Sequence, residues 1–255
     1  MNEANSIIQN KQVLNLMNER FHQNKKSLAV LLDPDKVSEV HLEKTISTAI
    51  EAKVDYLFVG GSLITNGNMH ECIKAVKENC NIPVVIFPGH SMQIDAQADA
   101  ILFLSLISGR NPDLLIGQHV VGAPHIKAKK LPAIPTGYML IDGGSTTTAI
   151  YMSGTAPIPN NKPDIAACTA LAGEMLGLKL IFMDAGSGAS SSIPTNMIAA
   201  VRNQINVPLM VGGGIRDAQT ALDKCQAGAD IVVVGNAIES NPSLISELSD
   251  AVHSI

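Results

Sequence analysis

Three glycine-bearing segments, Asp184-Ala185-Gly186-Ser187-Gly188, Gly212-Gly213-Gly214-Ile215-Arg216-Asp217 and Gly235-Asn236, each follow directly on a short apolar run. Glycines at such places let backbone N–H groups approach an anion closely, and a helix starting just beyond adds favourable partial charge. One motif of this kind reads as a tight turn and nothing more. Three of them after consecutive apolar runs read as the cradle of a phosphomonoester. Near the start of the chain, Leu32-Asp33-Pro34-Asp35-Lys36 and Val59-Gly60-Gly61-Ser62 close the first two runs. A carboxylate and a hydroxyl on neighbouring strands, completed by water and ligand phosphates, suit Mg²⁺, which keeps several waters and rarely takes an all-protein cage. Asp33 as a plain turn residue before Pro34 stays open beside that reading, and so do two roles for Lys36, diphosphate contact or solvated surface lysine. His90 lies in a strand-end loop within reach of a ligand, whereas His22, His41, His70, His119, His125 and His253 lack metal-ligand spacing. There is no Gx4GK[ST] nucleotide loop, and Gly186-Ser187-Gly188 lacks the setting of a serine nucleophile elbow.

Positioning these residues falls to short apolar runs that alternate with segments of helical period, the signature of parallel βα units. Eight runs stand out: Leu28–Leu32, Tyr56–Val59, Val84–Phe87, Ile101–Leu104, Tyr138–Ile141, Leu180–Met183, Leu209–Val211 and Ile231–Val234. Between them, Leu42, Ile46, Ala49 and Ile50 share a helical face, Pro163 and Pro194 suit first turns, and Asp217 suits a cap for a helix with Ala218, Ala221, Leu222 and Cys225 inward. Leu244, Ile245, Leu248 and Val252 mark the last helix. The pattern predicts a modified (β/α)8 TIM barrel, with a doubly wound open sheet as the rival. Pro88 to Asp99 is too short and too broken for a crossover helix, so a non-helical strap is expected between strands 3 and 4. Gly143 to Asn161 is long for a βα loop and reads as a lid or a disordered segment.

The 255 residues, 46% hydrophobic and 16% charged, suit one domain spanning 1–255 with a sizeable core. A net charge of −5 lacks the basic excess of a nucleic-acid binder, so an anionic ligand must be held by local groups. Cys72, Cys80, Cys168 and Cys225 have no CxxC spacing, which excludes a zinc ribbon and points to a reducing compartment. Met1 to Gln12 offers no signal-type apolar stretch, and no run is long enough to span a bilayer. A cytoplasmic protein with at most transient membrane contact is expected.

Taken together, the Asp33-Pro34-Asp35-Lys36 start, the Gly60-Gly61-Ser62 strand end, the Tyr138–Ala149 segment and the three glycine motifs resemble the geranylgeranylglyceryl phosphate synthases over nearly the whole chain. The resemblance implies transfer of a prenyl group, geranylgeranyl by family habit, from its diphosphate to the 3-hydroxyl of sn-glycerol 1-phosphate. The product is an ether-lipid precursor, and diphosphate is released. It places Mg²⁺ at Asp33 and Ser62, and the glycerol-phosphate cradle at Phe182, Met183, Asp184, Ala185, Gly186, Ser187, Gly188, Gly213, Gly214, Gly235 and Asn236. It also makes Asp184 the group that orients or deprotonates the acceptor hydroxyl, and family habit favours a homo-oligomer. Three positions depart from the family pattern: Phe182 and Asp184 stand where Tyr and Glu are usual, and Asp142 stands where Glu is common after the fifth strand. Ala166, Ala167, Ala170 and Gly173 either leave room for the prenyl tail or pack a helix in the ordinary way. Two other readings remain beside the transferase. One is a sugar-phosphate isomerase, aldolase or lyase, for which Lys179 enters at the wrong end of its strand. The other is a non-catalytic phosphate or prenyl-lipid binding protein.

Overall fold

The computed structural model describes residues 12–36 and 38–255. The Met1–Gln12 stretch read for targeting signals lies, except for Gln12, outside them. Eight parallel strands close into a barrel: β1 (Ser27–Leu32), β2 (Tyr56–Gly61), β3 (Val84–Pro88), β4 (Ala100–Leu106), β5 (Ala133–Leu140), β6 (Leu180–Asp184), β7 (Leu209–Gly212) and β8 (Ile231–Val234). Closure is made by β1 on β8, with Ala29 opposite Val233 and Val30 opposite Val234. The open-sheet alternative is thereby excluded. Alternation along each strand sends Tyr56, Phe58, Leu102, Phe182 and Met210 into the barrel, while Leu57, Val59, Met183 and Val211 face the helical layer. Helix α1 (Gln12–His22) closes the bottom, with Val13 and Met17 packed into the barrel interior.

Helices α2 (Glu39–Glu51), α3 (Met69–Asn79), α4 (Gln118–Ala128), α5 (Thr148–Ser153), α6 (Pro163–Met175), α7 (Thr195–Arg202), α8 (Ala218–Gln226), α9 (Asn236–Ser240) and α10 (Leu244–His253), with a π-helical turn at Asp113–Gly117 leading into α4, complete the described elements. Leu42, Ile46 and Ala49 are buried as their spacing requires, but Ile50 is turned outward near the end of α2. Asp217 caps α8 by accepting from Thr220 N–H at 2.7 Å. Pro163 occupies the first turn of α6, whereas Pro194 sits one place earlier, as the N-cap of α7. Ala166, Ala170 and Gly173 press α6 onto the barrel; a Cβ at Gly173 would come within 2.8 Å of Ile107 Cδ1. These small residues serve close packing and leave no space for a tail.

Residues 89–99 connect β3 to β4 through turns and bends rather than a helix. The 143–161 segment differs from the lid or disorder expected of it. It contains α5, it pairs Ile158 with Ile141 in a parallel bridge, and its Gly143 carbonyl accepts Ser191 N–H at 3.0 Å. Strand β5 begins five residues before Tyr138, because Pro135 and Gly137 interrupt the apolar run without interrupting the strand.

At the N-terminal face, three aspartates hold pairs of strands by one device. Asp55, Asp99 and Asp230 stand just before β2, β4 and β8, and their carboxylates accept the N–H of Leu28, Val84 and Leu209 at 2.8, 2.8 and 2.9 Å. Each also donates its own N–H to the carbonyl of the same residue. Asp230 is the most enclosed of the three, with Arg202 at 2.7 Å and Lys26 at 3.1 Å. Asp230→Ala leaves two cations and an amide without their partner and is expected to cost about 3–5 kcal/mol in chemical denaturation. Turnover per folded molecule should stay unchanged, since the face carrying the glycine motifs is at the other end of the barrel.

Candidate functional site

The three glycine motifs meet at the C-terminal face, where β6, β7 and β8 end side by side. They line a cavity of about 620 Å³ together with Asp33 and Ser62. Gly213 shows why its residue type is needed. Its φ is +82°, and a Cβ there would lie 2.7 Å from Gly186 N, so the two glycine turns lock together only without a side chain. Ser187 Oγ donates to Asn236 Oδ1 at 2.7 Å, tying the first motif to the third and leaving the Asn236 Nδ2 donor beside Gly188. The 143–161 segment buttresses the cradle from behind, with Thr147 packed where a Gly186 side chain would stand.

Phe182, Asp184, Gly186, Ser187, Gly188, Gly213, Gly214, Gly235 and Asn236 all line this cavity. Met183 and Ala185 do not. Strand alternation turns their side chains into the layer between barrel and helices, so only their backbone lies near the site. Asp142 also lies apart from the lining and accepts Gly144 N–H at 2.9 Å in a turn. Lys179 donates its backbone N–H to the Pro135 carbonyl at the N-terminal end of β6, away from the cavity, and among the described residues Lys36 is the one lysine of the cavity lining, paired there with Asp33 and Glu239.

Across the cavity, the loops after β1 and β2 are joined by Asp35, whose carboxylate accepts from Thr65 N at 2.7 Å, from Asn66 N at 2.9 Å and from Gly67 N. The Thr65 and Gly67 amides hold its pKa down at about 2. This clamp fixes Asp33 close to Gly61 and hence near Ser62; a Cβ on Gly61 would be 3.7 Å from the Asp33 carboxylate. Lys36 Nζ lies 3.1 Å from Asp33 and 3.3 Å from Glu239. Burial disfavours the Lys36 ammonium, but the hydrogen bond to Asp33 and the Glu239 charge outweigh it and its pKa rises. Burial pushes the Glu239 carboxyl up, with Lys36 opposing. Glu239 carried no signal in the sequence beyond its closeness to Asn236.

A second cavity of about 320 Å³ adjoins the first, sharing Gly61, Ser62 and Phe87. Its walls are apolar, with Ile101, Phe103, Leu106 and Ile126 among them, and it runs between the strap, β4, α4 and α5. His119 in this wall meets Phe103 edge-on at 4.4 Å, and burial lowers its pKa, which favours the neutral imidazole there. His90 lines the mouth and accepts Met92 N–H on Nδ1 at 3.2 Å, which stiffens the strap turn. Where the two cavities join, Phe87, Tyr138 and Phe182 form a ring cluster with centroids 5.4–5.8 Å apart.

Asp184 is buried at this junction. Its Oδ1 accepts Gly186 N–H at 2.7 Å and its Oδ2 accepts the Tyr138 hydroxyl at 2.6 Å. Burial raises its pKa, and the two donors oppose the rise. Tyr138 stands opposite Phe182 in the β5–β6 register, which brings its hydroxyl to Asp184. The sequence showed Tyr138 only as part of an apolar run.

This fold and this site define a closed β/α barrel with an apolar groove opening into a glycine-lined cavity at its C-terminal face. The chain belongs to the PcrB family, whose model matches residues 20–253. It is 57% identical to the geranylgeranylglyceryl phosphate synthase of Chitinophaga pinensis over 89% of this chain and 90% of that one. It is 43% identical to the Pyrococcus furiosus enzyme of the same name over 84% of this chain and 85% of that one. The crystal structure of (S)-3-O-geranylgeranylglyceryl phosphate synthase from Thermoplasma acidophilum, in complex with substrate sn-glycerol-1-phosphate, superposes with a TM-score of 0.89. Identity to it is 31%, with 95% of this chain and 99% of that chain covered. A tryptophan synthase from Mycobacterium tuberculosis, at 15% identity and a TM-score of 0.60, shares the fold alone.

Asn236→Ala removes the acceptor for Ser187 and one cradle donor. It is expected to weaken binding of inorganic phosphate, read by calorimetry, by roughly 5- to 10-fold, the worth of one hydrogen bond.

Proposed function

We propose that this chain transfers a prenyl group, geranylgeranyl by likeness to the named relatives, from its diphosphate to the 3-hydroxyl of sn-glycerol 1-phosphate, forming an ether and releasing diphosphate. One observation carries the reading: an apolar groove opens into a glycine-lined phosphate cradle, with a single buried carboxylate at the join. The groove suits the prenyl tail, and the cradle suits the phosphate of the acceptor. Asp184 receives the proton of the acceptor hydroxyl as its oxygen bonds to the prenyl C1. The bond from C1 to the diphosphate oxygen breaks, and its electron pair leaves with the diphosphate. Positive charge building on the allylic carbon meets the ring cluster of Phe87, Tyr138 and Phe182, whose π faces favour it.

Mg²⁺ is the cofactor assigned to Asp33 and Ser62. The donor set fits, because both are hard oxygens beside open space for water and a diphosphate, and the Asp33 carboxylate already draws the Lys36 ammonium to 3.1 Å. Among the described residues no group of three or more His, Cys, Asp or Glu could hold a metal ion by itself, so an ion at Asp33 and Ser62 would need water and substrate oxygens to complete its coordination. The chemistry a bound Mg²⁺ supplies there is neutralisation of the charge on the departing diphosphate.

Exposed Val120 and Val121 on α4, and Met175 and Leu176 at the end of α6, support self-association into a homo-oligomer. Among the described residues no helix is long and apolar enough to cross a membrane, and all four cysteines are free, which supports a reducing, cytoplasmic setting.

Incubation with Mg²⁺, sn-glycerol 1-phosphate and a series of prenyl diphosphates, followed by mass spectrometry, should yield the prenyl ether; its absence with every donor would refute the assignment. Asp33→Ala should abolish transfer while calorimetric affinity for sn-glycerol 1-phosphate stays nearly unchanged, and Ser62→Ala should be milder because water replaces a neutral ligand. Asp184→Asn should lower kcat by roughly 10²–10⁴-fold with far less effect on acceptor KM, the usual scale of general-base assistance.

A further inference from the structure

Tyr138 touches both halves of the site. Its ring lines the apolar groove, and its hydroxyl donates to a carboxylate that lines the phosphate cavity. The residue is 9% exposed, and its ring is wedged against Phe87 and Phe182. It is the only side chain bonded to Asp184 among the described residues; the other partner is the Gly186 amide. The strand on the far side of Asp184 offers Gly212, which has no side chain to hold it. The charged groups lining the same cavity are Asp33, Asp35, Lys36, Arg216 and Glu239. Lys36 is shared by Asp33 and Glu239, Asp35 is taken up by the Thr65–Gly67 amides, and Arg216 donates to the Ala189 carbonyl at 2.7 Å. None of them pairs with Asp184.

We propose that Tyr138 is the positioning residue of the transfer: its hydroxyl fixes the Asp184 carboxylate at the junction and steadies its charge, so that a short acidic side chain is held ready for the acceptor hydroxyl. This rests on the reading of Asp184 as proton acceptor. In the step, the hydroxyl O–H bond of the acceptor breaks and the proton goes to Asp184, while Tyr138 keeps its own. Burial, with the neighbouring carboxylate, holds the phenol pKa well above its ordinary value, so Tyr138 donates a hydrogen bond and does not give up the proton. Because the phenol opposes the effect of burial on Asp184, its removal leaves the carboxyl easier to protonate.

The test is a double-mutant cycle on the full chain with Mg²⁺ and both substrates. Tyr138→Phe keeps the ring and removes one oxygen. Its kcat at neutral pH is expected to fall roughly 10- to 100-fold, the scale of a hydrogen bond to a charged group, while acceptor KM stays nearly unchanged. The acid limb of its kcat profile should move to higher pH, with activity partly recovered there. In an Asp184→Asn background the same change should have almost no further effect on kcat. An unmoved acid limb, or losses that multiply in the double variant, would overturn the proposal. Retention of turnover by Asp184→Asn alone would instead overturn the reading beneath it. Should Tyr138→Phe fail to fold by circular dichroism, 3-fluorotyrosine at 138 serves: its more acidic phenol is a stronger donor and should move the acid limb to lower pH, and no movement refutes the role.

Discussion

A carboxylate that water barely reaches must have its charge held by fixed donors, and at Asp184 two are in place among the described residues. One is an amide of its own turn and the other is a phenol on the next strand. Much of the surrounding structure follows from that constraint. Tyr138 reaches Asp184 only because β5 and β6 run in parallel with Tyr138 opposite Phe182 and Leu140 opposite Asp184. The Gly186 amide reaches it only because the chain turns sharply after β6, at a φ of +88°. The same turn begins the glycine-lined wall of the cavity, so the buried carboxylate and the backbone of that wall are set by one piece of chain.

The barrel divides its labour between its two ends. At the N-terminal face, carboxylates of Asp55, Asp99 and Asp230 tie neighbouring strands through paired hydrogen bonds, and side chains there are spent on stability. The β5–β6 pair departs from the device for a plain reason. The residue in the amide position is Pro135, which has no N–H to be held, and Lys179 stands where the aspartate would. With strand pairing secured at that end, the C-terminal face is free to carry glycines and positive φ angles that would weaken a strand interior.

Much of this was legible in the residues. The eight apolar runs, the turn chemistry after each, and the three glycine motifs are enough to put those motifs, Asp33 and Ser62 on one face of a barrel. What escaped was information that periodicity cannot carry. Met183 and Ala185 sit inside the motif, but strand alternation turns their side chains into the helical layer and leaves only their backbone near the cavity. Tyr138 looked like one more apolar strand residue, since its hydroxyl acquires meaning only from a residue 46 positions away. The groove is assembled from the strap, β4, α4 and α5, so no single stretch of sequence announces it. The 143–161 segment read as a lid because of its Ser, Thr, Gly and Pro content, but those small residues are what allow it to pack against the cradle glycines.

The central claim is that acceptor phosphate, buried carboxylate and prenyl chain meet in that order across the join of the two cavities. A crystal structure with sn-glycerol 1-phosphate and an unreactive prenyl diphosphate analogue tests it directly. The account requires the phosphate against Gly188, Gly214 and Asn236, the 3-hydroxyl within hydrogen-bond distance of Asp184, and the chain along Phe103 and Ile126. A phosphate seated elsewhere, or an acceptor hydroxyl turned away from Asp184 with both ligands in place, would contradict it.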